Sequence, residues 1–220
     1  MPDILVKYQS EIIDAICETF YMVGVSMLAA IIIGLPLGTF LYLTRIGSIR
    51  ENRVFYGLLN LIVNVIRSFP FLLLVVFLIP FTRMVVGTAI GTTAATVPMA
   101  VIAIAHYARL AEQSFVDVPR GVIEAGIAMG ATIPQLIWRF LFVEARAGLV
   151  LGLTTSIISF ISYSTIMGIV GGGGIGDFAI RYGYQQYKTD LMGYVIIIMV
   201  ILVMLIQFLG NSLARLIDKR

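Results

Sequence analysis

The sequence is poor in charged residues, histidine and cysteine. Only 12% of its 220 residues are charged and 60% are hydrophobic, whereas soluble domains carry about 25% charged residues. The single cysteine, Cys17, excludes an intrachain disulfide. The single histidine, His106, excludes metal sites built from several histidines, and no glycine-flanked serine accompanies it. This composition indicates a membrane protein and argues against an enzyme.

Other absences narrow the function further. Lys and Arg stand singly at the ends of apolar runs, so there is no basic face for nucleic acid, and the net charge is only +3. The apolar runs contain no acidic residue for coupling to protons or sodium, which argues against a secondary carrier. No Walker motif and no channel selectivity filter is present. The chain itself is therefore not expected to bind ATP, Mg²⁺ or another cofactor.

Five stretches are apolar enough to cross a bilayer, which takes roughly 20 residues. The second is cut by Arg67, and neither half is long enough to cross alone. One helix bent near Pro70 is the simplest interpretation, with a re-entrant pair as the alternative. We predict an all-α integral membrane protein forming a single domain over residues 1–220. The predicted spans are residues 19–44, 54–82, 84–108, 147–170 and 191–214.

The positive-inside rule orients these five spans. With the N-terminus outside and the C-terminus in the cytoplasm, ten Lys and Arg residues face the cytoplasm, four face out, and Arg67 lies in the membrane. The cytoplasmic ten are Arg45, Arg50, Arg53, Arg109, Arg120, Arg139, Arg146, Arg215, Lys219 and Arg220. The outer four are Lys7, Arg83, Arg181 and Lys188.

The number of spans bears on assembly. Five is odd and the chain shows no internal duplication, so one copy lacks the two-halved symmetry common in alternating-access transporters. Two copies around a two-fold axis would supply it. We therefore expect a homodimer in the lipid bilayer, with the pathway at the subunit interface.

A polar segment, about residues 117–142, separates the third and fourth spans. Asp117-Val118-Pro119 is typical of a helix start, and the helix is expected to run to about Ala131. Thr132 is expected to begin a second helix, with an apolar face that includes Trp138, turned back to the membrane. The segment is either an interfacial or internally packed amphipathic helix, or a helix that inserts into a groove of another protein.

The segment carries a motif, Glu124-Ala125-Gly126-x₃-Gly130. It resembles the cytoplasmic signature of permease subunits of bacterial ABC importers, which reads Glu-Ala-Ala, three residues, Gly, nine residues, Ile-x-Leu-Pro. The glycine spacing matches, and Gly126 replaces the second alanine. The end of the signature is not matched, because Phe140, Phe142 and Val143 stand at those positions.

Further stretches are similar to the methionine-import members of that family. They are Ile66-Arg67-Ser68-Phe69-Pro70-Phe71, residues 79–83, 86–91 and 171–176, Tyr163-Ser164 and Tyr182-Gly183-Tyr184. The resemblance implies an inner-membrane permease for methionine or a related amino acid, working as a homodimer. It also implies two cytoplasmic ATPase subunits, which bind ATP and Mg²⁺, and an extracytoplasmic substrate-binding protein. Glu124, Ala125, Gly126 and Gly130 would form a coupling helix that transmits closure of the ATPases to the spans.

Arg67 is the one charge inside a predicted span. A charge near the bilayer centre costs a few kcal/mol by insertion scales, so its side chain must face protein or water. It is either a structural arginine satisfied by carbonyls and by neighbours such as Asn60 and Asn64, or a pathway residue that steers a carboxylate.

Hydroxyl groups in the fourth span pose a similar choice. They either bond back to their own helix or line a cavity for a small zwitterion. The resemblance favours the cavity, because this span bounds the pathway in those permeases. The gate candidates are Tyr163, Ser164, Ile166 and Met167. The glycines of residues 171–176 are typical of a flexible hinge. The aromatic side chains of the segment that follows, residues 177–190, either dock the binding protein or form an interfacial belt.

Three alternatives to this function remain at this point. These alternatives are a permease for another small solute, a subunit of an ABC exporter, and a secondary carrier.

Overall fold

The computed structural model describes residues 6–218, so Lys219 and Arg220 of the charge count lie outside the described part. All regular structure within these residues is helical. The helices are α1 (Gln9–Thr44), α2 (Arg53–Ser68), α3 (Phe71–Phe77), α4 (Ile79–Val86), α5 (Thr92–Val116), α6 (Arg120–Ala128), α7 (Ile133–Ile169), α8 (Gly174–Phe178, continued by a π turn over Ala179–Tyr184) and α9 (Thr189–Ile217).

Four of these helices are long and apolar enough to cross a membrane, and a fifth span exists if α2 and α3 count as one. The predicted all-α membrane fold is therefore confirmed. The single bent helix over residues 54–82 is not, because α2 and α3 meet at 104° and α4 is a separate helix. Pro70 is the reason, since a proline disfavours helical geometry in the preceding residue and Phe69 is extended, with φ −68° and ψ 133°.

Three helices have bounds that differ from those of the spans predicted from hydropathy. Gly87 (φ +84°) and Gly91 (φ +104°) separate α4 from α5, so α5 begins at Thr92 rather than at residue 84 and continues past Arg109 to Val116. Helix α7 begins at Ile133 because the second helix of the polar segment runs on into the span. Helix α1 begins at Gln9 because the ten residues before the predicted span are also helical, although some of them are charged. Hydropathy measures transfer into lipid and does not register where a helix ends.

Helix α5 lies in the centre of the protomer. In its most apolar stretch 61% of the residues are buried, against 11% for α9. Helix α1 crosses α5 very closely, because a methyl group added at Gly34 would lie 2.7 Å from the carbonyl oxygen of Ile104, and one at Gly38 would lie 2.5 Å from that of Ala108. Two glycines four residues apart therefore bring these two backbones together.

Candidate functional site

The helix of the polar segment, α6, lies at one end of the bundle, which we call the α6 end. It begins after Pro119, and no side chain caps it, so Asp117 does not have the expected capping role. It ends in a Schellman motif, in which Ala131 N–H donates to Gly126 O at 3.1 Å and Gly130 N–H donates to Ile127 O at 2.9 Å. Gly130 has φ +75°, a conformation that side chains other than glycine rarely adopt.

The two glycines of the motif serve different purposes. Gly126 is buried against its own chain, because an added methyl group would lie 2.6 Å from Leu136 Cδ2. Gly130 faces open space, with nothing within 4 Å of an added methyl group. They therefore do not form one bare strip of backbone. Gly126 lets α7 approach α6, and Gly130 ends α6.

The opposite face of α6 is exposed. It presents Glu124, Ala125 and Ala128. Large apolar side chains surround that face, and Ile127, Met129 and Trp138 are 52%, 70% and 67% exposed. Trp138 packs edge-on against Phe142, with ring centroids 4.9 Å apart. This small apolar surface with one carboxylate suits a protein partner.

A cleft of about 370 Å³ separates α6 from the loop between α1 and α2. Its lining includes Arg45, Arg120, Ile123 and Glu124. The loop holds its own shape, because Gly47 N–H donates to Glu51 Oε2 at 3.0 Å and Arg53 Nε donates to Glu51 Oε1 at 3.0 Å. The hydrogen bond from the Gly47 amide lowers the pKa of the Glu51 carboxyl group, and the hydrogen bond from Arg53 lowers it further.

A polar network joins α2 to α5. Arg109 donates to Glu112 at 2.5 Å, to Asn60 at 2.6 Å and to Asn64 at 2.8 Å. The Tyr56 hydroxyl donates to Glu112 at 3.3 Å. The Arg109 and Glu112 side chains are only 14% and 5% exposed. A cleft of about 210 Å³ reaches this network from the α6 end.

The network overturns two expectations from the sequence. Glu112 is an acidic residue buried within a long apolar helix, although none was expected inside a span. Asn60 and Asn64 bind Arg109 rather than Arg67. The spacing Arg109-x-x-Glu112, with Asn60 and Asn64 one turn apart on a facing helix, was the available signal. Hydropathy does not reveal this signal, because the charge-free run ends at Ala108, just before Arg109.

Arg67 lies in the last turn of α2 and is exposed on the isolated protomer. The break at Phe69-Pro70 leaves the carbonyl groups of that turn without helical partners, and the helix dipole there favours a cation. Among the described residues no hydrogen bond or ion pair engages the guanidinium group.

The hydroxyl groups of α7 bond back to their own helix in six cases, each at 2.6–2.9 Å: Thr154, Thr155, Ser156, Ser159, Ser164 and Thr165. Ser164 and Met167 are buried in the protomer core. Ile166 and Tyr163 are half-buried at its surface, and Tyr163 stacks on Phe71 with ring centroids 4.6 Å apart. Of the four gate candidates, only these two reach the protomer surface.

The glycine-rich segment of residues 171–176 lies at the other end of the bundle, the α8 end. Gly174 N–H donates to Glu18 Oε2 at 2.6 Å, and Ile175 N–H donates to Thr19 Oγ1 at 2.9 Å. A methyl group added at Gly176 would lie 2.3 Å from Thr165 Cα. The segment is therefore anchored to α1 and packed tightly on α7, and the expected free hinge is wrong. The glycines permit close contact and positive φ rather than motion.

Replacing Glu18 by alanine is expected to lower the free energy of unfolding by about 1.5–3 kcal/mol, the contribution of a hydrogen bond to a charged group. Amide exchange at Gly174 and Ile175 should speed up, as measured by hydrogen–deuterium exchange in detergent. Asp14→Ala, one turn earlier on α1 and exposed, is the matched control and should leave exchange unchanged. Equal protection in both variants would show that the carboxylate does not hold the segment.

The aromatic residues after the glycines divide into two groups. Tyr182 packs with Tyr8 and Phe178, and Lys188 Nζ donates to the Tyr8 hydroxyl at 2.5 Å. Tyr184 and Tyr187 point outward and are 70% and 91% exposed. The α8 end therefore presents two exposed tyrosines on an anchored base.

Comparison with known proteins agrees with this geometry. Residues 34–220 match the family described as binding-protein-dependent transport system inner membrane component. The chain is 41% identical to a probable D-methionine transport system permease protein of Vibrio cholerae, over 95% of this chain and 93% of that protein. It is 44% identical to the probable D-methionine transport system permease protein of Pasteurella multocida, over 92% and 94% of the two chains.

A solved structure is equally similar. A chain of the MetNI methionine ABC transporter in an inward-facing conformation superposes with a TM-score of 0.94, at 42% identity over 97% of this chain and 99% of that chain. Both the sequence and the fold agree over nearly the full length. The chain therefore belongs to the family of inner membrane components of binding-protein-dependent transport systems, which are transport subunits and not enzymes.

Proposed function

We propose that this chain is the permease subunit of an ATP-driven importer for methionine or a closely related amino acid. The observation that carries the proposal is the full-length likeness to relatives named as methionine permeases, in sequence and in fold. Two copies form the membrane part, and two ATPase subunits bind ATP and Mg²⁺ on its cytoplasmic face. This chain supplies the path and the mechanical link.

Helix α6 is the proposed contact with the ATPase. Glu124 and Ala125 lie on its exposed face, between apolar side chains that a groove would cover. Gly126 and Gly130 act indirectly, since Gly126 seats the helix on α7 and Gly130 sets where it ends. Because α7 begins just after this turn, a push on α6 reaches the fourth span through a direct connection.

The proposed orientation places the α6 end in the cytoplasm and the N-terminus outside. Arg45, Arg50, Arg120, Arg139 and Arg215 belong to loops and helix ends on that side, and positive residues collect on the cytoplasmic side of membrane proteins. The α8 end then faces the substrate-binding protein. Tyr184 and Tyr187 support docking there, because exposed tyrosines on an anchored base provide contact area at low entropic cost.

The pathway is proposed at the interface between the two copies. Tyr163, Ile166 and Arg67 can reach it directly because all three lie on the protomer surface. Ser164 and Met167 support that wall from within and act on the gate through their neighbours.

The experiment reconstitutes the purified permease and its ATPase in liposomes and supplies the binding protein with radiolabelled methionine. Uptake should require ATP and all three components. Uptake without the ATPase would overturn the proposal in favour of a carrier, and uptake without the binding protein would contradict an importer of this kind. If unlabelled methionine does not compete while another solute does, the runner-up function, import of that solute, replaces it.

A further inference from the structure

The polar contacts between α2 and α5 form a ladder of successive levels. Tyr56 pairs with Glu112, and Asn60 and Asn64 pair with Arg109. As the number rises along α2 it falls along α5, so the two helices are antiparallel. The apolar packing has the same register, because Val63 packs with Ala105 in one buried cluster that Ile66 also contacts.

The next level of the ladder holds Arg67 and His106. Arg67 comes one helical turn after Asn64, and His106 comes one turn before Arg109, so the antiparallel register places them opposite each other. Arg67 lies close enough to His106 for its positive charge to reach the imidazole ring. His106 Nε2 is buried and has no hydrogen-bond partner within residues 6–218.

The levels differ in their balance of donors and acceptors. At the levels of Tyr56 and Arg109, which lie nearer the α6 end, carboxylate and amide oxygens accept from the donors of these two residues. At the level of Arg67 and His106, no acidic side chain of the described residues pairs with the guanidinium group or the imidazole. Arg67 is exposed on the protomer but would lie within the membrane at the proposed interface of the two copies. A cation there is costly without an anion, so this level calls for an acceptor from outside the protomer.

An apolar aromatic wall lies beside this level. The His106 ring contacts Phe160 edge-on at 6.1 Å, Phe160 contacts Tyr163 at 5.1 Å, and Tyr163 stacks on Phe71. An amino acid with an apolar side chain fits a cation beside aromatic rings. A guanidinium group binds a carboxylate through two parallel hydrogen bonds, and a thioether packs well on aromatic rings.

We infer that Arg67 and His106 form a subsite in the pathway that binds the carboxylate of the amino-acid cargo, with the rings of Phe71 and Tyr163 under its side chain and the buried Phe160 ring supporting Tyr163 from within. The inference rests on the proposed function, since it assumes an amino-acid cargo at this surface. Helix α2 ends at this level and α3 turns away, so the carboxylate lies where the wall of the pathway bends.

The test measures equilibrium binding of radiolabelled methionine to the purified permease–ATPase complex without the binding protein, competed by methionine or by its neutral carboxamide, methioninamide. Wild type should prefer methionine by roughly tenfold or more, because a charge-assisted contact is lost in the amide. Arg67→Gln should remove the preference, and Arg67→Lys should restore part of it. His106→Phe keeps the packing on Phe160 and should reduce the preference, while His106→Gln should retain more of it.

Arg83→Gln removes an exposed arginine on α4 and is the matched control, expected to keep the wild-type preference. A variant that merely misfolds would lose binding of both compounds, whereas loss of the subsite removes the discrimination between them. Equal affinity of wild type for methionine and methioninamide, or no binding of methionine at its highest soluble concentration, overturns the inference. If wild-type liposomes import another amino acid instead, the methionine assignment fails, and the subsite is tested with that amino acid and its amide.

Discussion

Replacing Gly130 by leucine is expected to abolish ATP-driven uptake while the permease still inserts and assembles. Gly130 has φ +75°, and a side chain in that conformation costs about 1–2 kcal/mol. The space around it is open, so the cost falls on the backbone and not on packing. The Schellman motif would open, α6 would end differently, and its link to α7 would change direction. We expect ATP hydrolysis to continue without transport.

The measurement is the ratio of ATP hydrolysed to methionine imported in liposomes, together with size-exclusion chromatography of the complex. Gly130→Asn is the matched control, since asparagine tolerates left-handed geometry and should keep most of the coupling. Normal transport by Gly130→Leu would refute the proposed role of the α6 terminus.

Replacing Gly38 by leucine should give the largest loss of stability. A side chain there meets the carbonyl oxygen of Ala108 at 2.5 Å and Ala111 Cβ at 2.9 Å, and backbone atoms cannot move aside cheaply. Helices α1 and α5 would have to separate along their crossing, which costs about 3 kcal/mol or more. The midpoint of thermal aggregation in detergent, followed by size-exclusion chromatography, should fall sharply.

The same helix provides the control. Gly24 has no atom within 4 Å of an added methyl group, so Gly24→Leu places an equal side chain in open space. The two variants share host helix and chemistry and differ only in the approach of α5. Similar midpoints for both would mean that the close crossing is not what stabilises the bundle.

Much of this architecture follows from local patterns. Long apolar runs predict helices because backbone groups in lipid must be bonded within the segment. Pro70 predicts a bend, and Thr132 marks a helix start, where its N–H donates to Gln135 Oε1 at 2.8 Å. The motif around Glu124 indicated both the family and the exposed helix of the polar segment. These features depend on residues a few positions apart, so the sequence alone contains them.

What could not be predicted depends on distant pairs. Nothing near Gly174 indicates that Glu18 and Thr19 anchor it. The spacing Arg109-x-x-Glu112 indicates a polar helix face but not which helix lies against it, so the pairing of Asn60 and Asn64 with Arg109 required the fold. That Gly126 faces the protein interior could not be predicted without knowing where Leu136 lies. The size of the turn at Pro70 also depends on what α3 packs against, since proline disfavours a helix without setting the angle.

The bond between Glu18 and Gly174 has a consequence for biosynthesis. Its partners are 156 residues apart, so Glu18 is synthesised long before the Gly174 amide that donates to it. At ribosomal rates of about 5–20 residues per second, the delay is roughly 8 to 30 seconds. During that delay water must satisfy the Glu18 carboxylate on the nascent helix α1. Its final docking comes late in synthesis, when the fourth span has followed it into the bilayer.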